Sequence, residues 1–310
     1  FGIIMYVNFI FVSLFLGYSM GSAPIVGYHF GAGDREELQG LLRRSLRLVA
    51  VMGAVMTVLL VLLWDKTECG RRNRRDALVI VCAAAFACMP LLWRGVFDGH
   101  DLLFHLNRIE GITSGLRNGQ FPVRIHASTL LGYGYAASEF YPELFLYIPA
   151  VLRNLGVSLS ASVRVFEACI NLATALSCYL CVRRLMNSRR AAVGASVLYT
   201  LCIYRLVNLY TRATLGESLA MIFFPVVLLG LYEVLRRDEK RWPLLALGMT
   251  GVCMSHLLST LFCAAFCALA AVLSVKKLFG EKKRILTILM AAGVTALCCL
   301  WFYVPMMQYS

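Results

Sequence analysis

Apolar residues in this chain arrive in runs too long for a water-soluble core, and that feature limits the fold more than any other. A hydrocarbon layer about 30 Å thick takes roughly 20 apolar residues per helix. Backbone in lipid must also satisfy its own hydrogen bonds, which leaves helices as the way for such runs to cross. Nine stretches qualify as spans: 7–28, 45–64, 77–93, 163–182, 191–209, 218–235, 242–256, 257–275 and 285–305. The expected fold is therefore all-α, a polytopic transmembrane protein of about nine spanning helices. Composition agrees: 60% of the residues are hydrophobic and 15% charged, where soluble domains carry about a quarter charged. The stretch 140–155 is apolar but short, and it contains Pro142, Glu143, Pro149 and Arg153. It reads as interfacial or re-entrant.

A formal net charge of +13 would suit nucleic acid only if the basic residues formed one stripe, and they do not. They fall in clusters between apolar runs: Arg183 to Arg190, Arg236 to Arg241, and Lys276 to Arg284. The positive-inside rule places such clusters in the cytoplasm. Running 77–93 outward makes 94–162 an external loop with interfacial helices and puts all three clusters inside. A full span at 140–155 would send all three outside. The first hairpin fits less well. If its loop Asp34–Arg44 is cytoplasmic, the basic stretch 65–76 should be external, yet helix 77–93 needs that stretch inside. The chain accordingly divides into a hairpin over 1–64, a basic junction over 65–76 and a second transmembrane domain over 77–310. It starts at Phe1 without a basic leader and stops at Ser310 just after an apolar run, so a larger protein is expected, with the second domain incomplete at its C-terminus.

Most of the twelve cysteines lie within apolar runs and read as packing residues. Cys178 and Cys181 have CxxC spacing but no second pair at zinc-site distance. A divalent metal is compatible with the carboxylates and histidines, but no ligand spacing demands one, and the sequence assigns no metal ligand and no cofactor.

Polar groups expected on the outer face carry the chemistry. Asp98, His100, Asp101, His105, Arg108 and Glu110 lie in the first external loop. Glu139, Tyr141 and Glu143 precede the interfacial stretch. Arg212 and Glu217 separate two helices, and His256 stands at a helical turn. Asp101, His105 and Arg108 are spaced i, i+4, i+7 and share one face of a helix. A carboxylate beside a histidine and an arginine suits a general base next to a phosphate contact. Arg164, Glu167 and Asn171 form a second one-faced set, for which an ion pair is the expected role.

Two resemblances follow. Gly21-Ser-Ala-Pro-Ile-Val-Gly-Tyr-His-Phe-Gly-Ala-Gly33, with Glu36-Glu37-Leu38, resembles two helices of the multidrug and toxic-compound extrusion (MATE) transporters. Two helices cannot form that family's two-lobed pathway, so the likeness implies descent or fusion. The strings Gly99-His-Asp-Leu-Leu-Phe-His-Leu-Asn-Arg-Ile109, Gly119-Gln-Phe-Pro-Val-Arg124, Gly132-Tyr-Gly-Tyr135 and Phe140-Tyr-Pro-Glu143 resemble bacterial membrane proteins labelled as related to 6-pyruvoyl-tetrahydropterin synthase. Tyr204-Arg205, Tyr210-Thr-Arg-Ala213, Gly216-Glu217 and Ser255-His-Leu-Leu-Ser259 fit the same group. No soluble synthase pattern accompanies them. Architecturally the group is similar to the N-terminal part of C-type glycosyltransferases, which take a polyprenyl-phosphate sugar donor and act through an acidic residue of the first external loop.

The resemblance implies a glycosyltransferase-like protein of the bacterial cytoplasmic membrane, working on the extracytoplasmic side with a polyprenyl-phosphate-linked sugar. Its partners are the bilayer and that lipid, and no nucleic acid is expected. Asp101 is the expected base and Asp98 the runner-up. Arg212 and Arg108 hold the donor phosphate, and His105, Glu217 and His256 orient acceptor or base, with Tyr141 in the binding set. The alternatives are a transporter or flippase component and an inactive fused fragment.

Overall fold

The computed structural model describes residues 31–32, 69–92, 99–127 and 129–309. The expected hairpin over 1–64 lies almost wholly outside them, as does the start of the 65–76 junction. Along the chain come α1 (Cys69–Ala87), α2 (Leu102–Arg117), the one-turn α3 (Ala137–Phe140), α4 (Tyr147–Asn154) and α5 (Leu159–Met186). They are followed by α6 (Arg189–Thr200), α7 (Ile203–Tyr210), α8 (Leu215–Arg236) and α9 (Trp242–Cys253). α10 (Leu257–Leu273), α11 (Val275–Gly280) and α12 (Lys282–Tyr309) complete the set. Among the described residues all named elements are helical, and strand geometry is confined to one bridge between His126 and Tyr135.

The protein is an all-α membrane protein. α5, α8 and α12 are each long and apolar enough to cross a bilayer, and α6 and α7, which meet at a 40° bend, reach that length and hydropathy only as a pair. At about 1.5 Å per residue, the 28 residues of α5 reach about 42 Å. The sequence places seven spans after residue 77; helices stand at all seven, but only these four have spanning length and hydropathy among the described residues. α9 and α10 have 12 and 17 residues. α1 spends its first two turns on Arg71, Arg72, Arg74, Arg75 and Asp76, residues the sequence assigned to the junction. The segment Leu144–Asn154 is a short apolar helix, less than a bilayer's thickness in length. It buries Leu146, Pro149 and Ala150 and exposes Ile148 and Val151.

Local signals explain the boundaries. The Ser158 hydroxyl accepts from the Ala161 amide and caps α5. Asn187, at φ 50°, closes α5 in the left-handed conformation that asparagine tolerates. Ser188 then caps α6 through the Ala191 amide. α8 and α9 pack closely because their contact is built on glycine. A Cβ on Gly248 would lie 2.7 Å from the Val227 amide nitrogen, and one on Gly230 would overlap the backbone of Leu245. α10 and α12 leave Leu261, Phe262, Leu289 and Leu297 exposed, an exterior suited to hydrocarbon.

Charge separates the two ends of the bundle. Arg189 pairs with Asp76 at 2.8 Å, Arg184 with Glu233 at 2.8 Å, and Arg284 with Glu281 at 2.7 Å. Lys277 donates to the Arg236 carbonyl, and Arg284 to those of Val234 and Arg237. The three basic clusters thus meet at one end, together with the start of α1. The polar segments around α2 lie at the other.

Candidate active site

Four separate segments meet at that second end. The Asp101 amide donates to the Arg212 carbonyl at 2.9 Å. Gly99 fits against the same strand of chain, since a Cβ there would stand 2.6 Å from the Ala213 Cβ. A Cβ on Gly216 would lie 2.6 Å from the Tyr141 hydroxyl and 2.8 Å from the Ser255 carbonyl. The His256 ring stands 6.2 Å from that of Tyr141, which stands 6.0 Å from that of His105. Asp101, His105, Arg108, Tyr141, Arg212, Glu217 and His256, far apart in sequence, occupy one neighbourhood. Asp98 lies outside the described residues.

Within it the residues divide by burial. Asp101 stands at the N-cap of α2, yet its side chain accepts no capping bond, and it is exposed. The carboxylate is open to an incoming group. His105 and Arg108, one and two turns further on, are each 1% exposed and point into the protein. Arg108 donates to the carbonyls of Pro142 at 2.8 Å and Tyr141 at 3.2 Å, and its Nη1 lies 3.4 Å from His105 Nδ1. Its guanidinium stacks 4.4 Å over the Tyr141 ring and 5.4 Å from that of Phe104. Arg108 therefore commits Nη2 to its own chain, pinning the 141–142 backbone to α2, while its buried Nε has no hydrogen-bond partner among the described residues.

Burial sets the protonation of this group. It draws the Arg108 pKa down to about 10, against the pull of Glu143, and the guanidinium stays charged. Burial, then the Arg108 and His256 charges, push His105 down to about 3. The ring is neutral at physiological pH, and its Nδ1 can accept from Arg108. Burial also raises the Tyr141 phenol, with Arg108 opposing, so the hydroxyl keeps its proton.

Arg212 is the accessible arginine. Its side chain is 43% exposed, and Nη1 donates to Asn208 Oδ1 at 2.7 Å and Glu217 Oε2 at 3.2 Å. Glu217, in the first turn of α8, also accepts from the Tyr204 hydroxyl at 2.5 Å. Tyr204 and Asn208 were not singled out as site residues by sequence reading. Their signal was the i, i+4, i+8 spacing with Arg212, visible only once α7 is known to be a separate helix. His256 caps α10, its Nδ1 accepting from the Ser259 amide at 3.3 Å, which leaves the Nε2 edge available.

A second polar cluster adjoins the first. Ser138 donates to Glu143 Oε2 at 2.6 Å and lies 3.0 Å from His126 Nε2. Arg124 reaches Glu139 at 3.7 Å and stacks over Trp301. Serine and carboxylate both meet the Nε2 edge of His126, and Nδ1 has no partner. A nucleophilic relay needs them on opposite edges, so this set fixes the chain between α2 and α4. In the spanning region Arg164 and Glu167 do not pair. Asn171 accepts from Arg205 and donates to the Tyr210 hydroxyl at 2.8 Å. No group of three or more metal-ligating side chains gathers among the described residues.

Residues 43–310 match the model of a family of unknown function, DUF6541, and residues 1–67 match the MatE model. A protein of Lactococcus lactis subsp. cremoris described as uncharacterized is 25% identical over 244 residues, 74% of this chain and 39% of that protein. A dolichyl-phosphooligosaccharide-protein glycotransferase 2 of Pyrococcus horikoshii is 24% identical over 200 residues, 58% of this chain and 25% of that protein. The chain thus spans well under half the length of these relatives. No solved structure matches it. Neither these matches nor the fold carries any sign of a pterin synthase.

Proposed function

The chain belongs to DUF6541, a family of unknown function, and we propose that it is the membrane core of a glycosyltransferase that uses a polyprenyl-phosphate-linked sugar. The observation that carries this reading is the pairing of an exposed, unbonded carboxylate, Asp101, with an exposed guanidinium, Arg212, joined through the Asp101 amide and the Arg212 carbonyl. The similarity to the archaeal glycotransferase supports the reaction class. Under the positive-inside rule the basic end is cytoplasmic and the site faces outward.

In the proposed step an acceptor hydroxyl attacks the anomeric carbon of the donor sugar. Its proton passes to Asp101, the bond from that carbon to the phosphate oxygen breaks, and polyprenyl phosphate leaves. Arg212 stabilises the departing phosphate through the guanidinium edge that Asn208 and Glu217 do not use. Glu217, Tyr204 and Asn208 hold Arg212 in place, and His256 and Tyr141 line the acceptor side. Arg108 and His105 act from beneath, fixing Tyr141, so the part in binding phosphate or moving protons that their spacing suggested falls to Arg212 and Asp101.

The test is Asp101→Asn in the full-length protein, with Arg108→Lys beside it. Asp101→Asn is expected to lower transfer to a surface glycan by at least about 100-fold with unchanged membrane insertion; full transfer in that variant refutes the proposal. One observation favours a second reading, a transporter component: the MatE match of residues 1–67. That reading requires substrate flux in the Asp101→Asn variant.

A further inference from the structure

The basic end holds a cavity that the proposed reaction does not use. It has a volume of about 400 Å³ and is lined by Arg184, Asn187, Glu233, Arg237, Asp238 and Arg241. Ligand sites commonly fall between roughly 300 and 1,000 Å³. We propose that this cavity binds the phosphate group of an anionic phospholipid headgroup. The inference is independent of the glycosyl-transfer reading.

Three observations support it. The first is a surplus of oriented donors. Arg184 uses Nε on Glu233 at 2.8 Å, Arg241 uses Nε on Asp238 at 3.3 Å, and Arg237 uses Nη1 on the Arg184 carbonyl at 3.1 Å. Each arginine has five N–H donors, so the outer edges of all three remain open while their inner edges are held. Glu233, 2% exposed, serves as the fixed anchor between Arg184 and Arg237 and is turned away from solvent. Second, the lining carries three positive and two negative charges, and Lys277 and Arg284 reach the backbone beside it. The net field favours an anion.

The third is depth. Two spanning helices, α5 and α8, end at this cavity, which places it where headgroups meet the hydrocarbon. Guanidinium forks match phosphate oxygens bidentately, and basic pockets between spanning helices on the cytoplasmic side bind anionic lipid headgroups. Soluble phosphate offers the same oxygens without the acyl chains that would hold it at that depth.

The experiment uses the full chain in nanodiscs of phosphatidylcholine with graded phosphatidylglycerol, counting retained lipid by native mass spectrometry. A parallel arm adds inorganic phosphate. Phosphatidylglycerol is expected to be retained roughly tenfold over phosphatidylcholine, and phosphate is expected not to displace it. Arg241→Gln, an exposed position whose ion pair contributes little to folding, should reduce the preference, and Arg237→Gln with Arg241→Gln should abolish it. Equal retention of the two lipids, or a preference that survives the double variant, overturns the site. Displacement by inorganic phosphate overturns the lipid as its source.

Discussion

Protonation of His105 should set an acid limit on stability that one substitution removes. The ring is 1% exposed, with its Nδ1 turned to the Arg108 guanidinium, and its pKa falls from 6.5 to about 3. Because the folded value lies below the unfolded one, the unfolded chain takes up a proton that the native protein refuses. Stability is therefore unaffected above pH 6.5 and falls as pH drops from 6.5 towards 3. Each unit is worth about 1.4 kcal/mol, so at pH 5 the native state should have lost about 2 kcal/mol through this residue alone. His105→Asn keeps an acceptor near the Nδ1 position and cannot titrate. Equilibrium unfolding in mixed micelles between pH 4.5 and 7.5, for wild type and variant, isolates the contribution as a difference in slope. The carboxylates and the remaining histidines titrate in both proteins and cancel. Parallel slopes would refute the account of a buried neutral ring beside Arg108.

Two further perturbations probe the packing that builds the site and the span beneath it. Gly216→Ala should cost about 1–3 kcal/mol, because the new Cβ meets the Tyr141 hydroxyl at 2.6 Å and the fixed Ser255 carbonyl at 2.8 Å; unchanged unfolding in micelles would contradict the close approach. Arg205→Met should cost about 1–3 kcal/mol for each acceptor it abandons, namely the Thr200 carbonyl and Asn171 Oδ1. Arg205→Lys should restore part of that loss, and a methionine variant as stable as wild type would show that the bent span needs no internal donor.

The positions of the helices were legible because hydropathy is a local property, and a chain with 60% hydrophobic residues declares its runs. The bend in the 191–209 run was not. Neither proline nor glycine stands at Leu201-Cys202; the break is tolerated because Arg205, from the next turn of chain, returns to the freed Thr200 carbonyl. The gathering of Asp101, Arg212, Glu217, Tyr141 and His256 was foreseen only as a shared side, since loops of one side need not touch. What joins them is backbone, through the Asp101 amide and the narrow approach at Gly216, and side-chain patterns do not report it. The pairing expected within Arg164, Glu167 and Asn171 failed for a related reason. Spacing puts side chains on one face but does not say which neighbouring helix that face meets, and Asn171 meets Arg205 of α7.

Arg108 and Arg212 make the same point about function. Sequence offers both as phosphate contacts, since a guanidinium near an acidic loop residue suits either role. Their surroundings separate them. Arg108 sits under Tyr141 with two carbonyls on one nitrogen, so releasing it to a substrate would strand those carbonyls and unpin the Tyr141 backbone at a cost of several kcal/mol. Arg212 is tied by Nη1 alone, to the buried Asn208 and to Glu217, whose side chain is 16% exposed, while its own side chain is 43% exposed. On the proposed reading a phosphate meets the guanidinium edge of Arg212 that these two leave open, while Arg108 keeps the floor of the site in place.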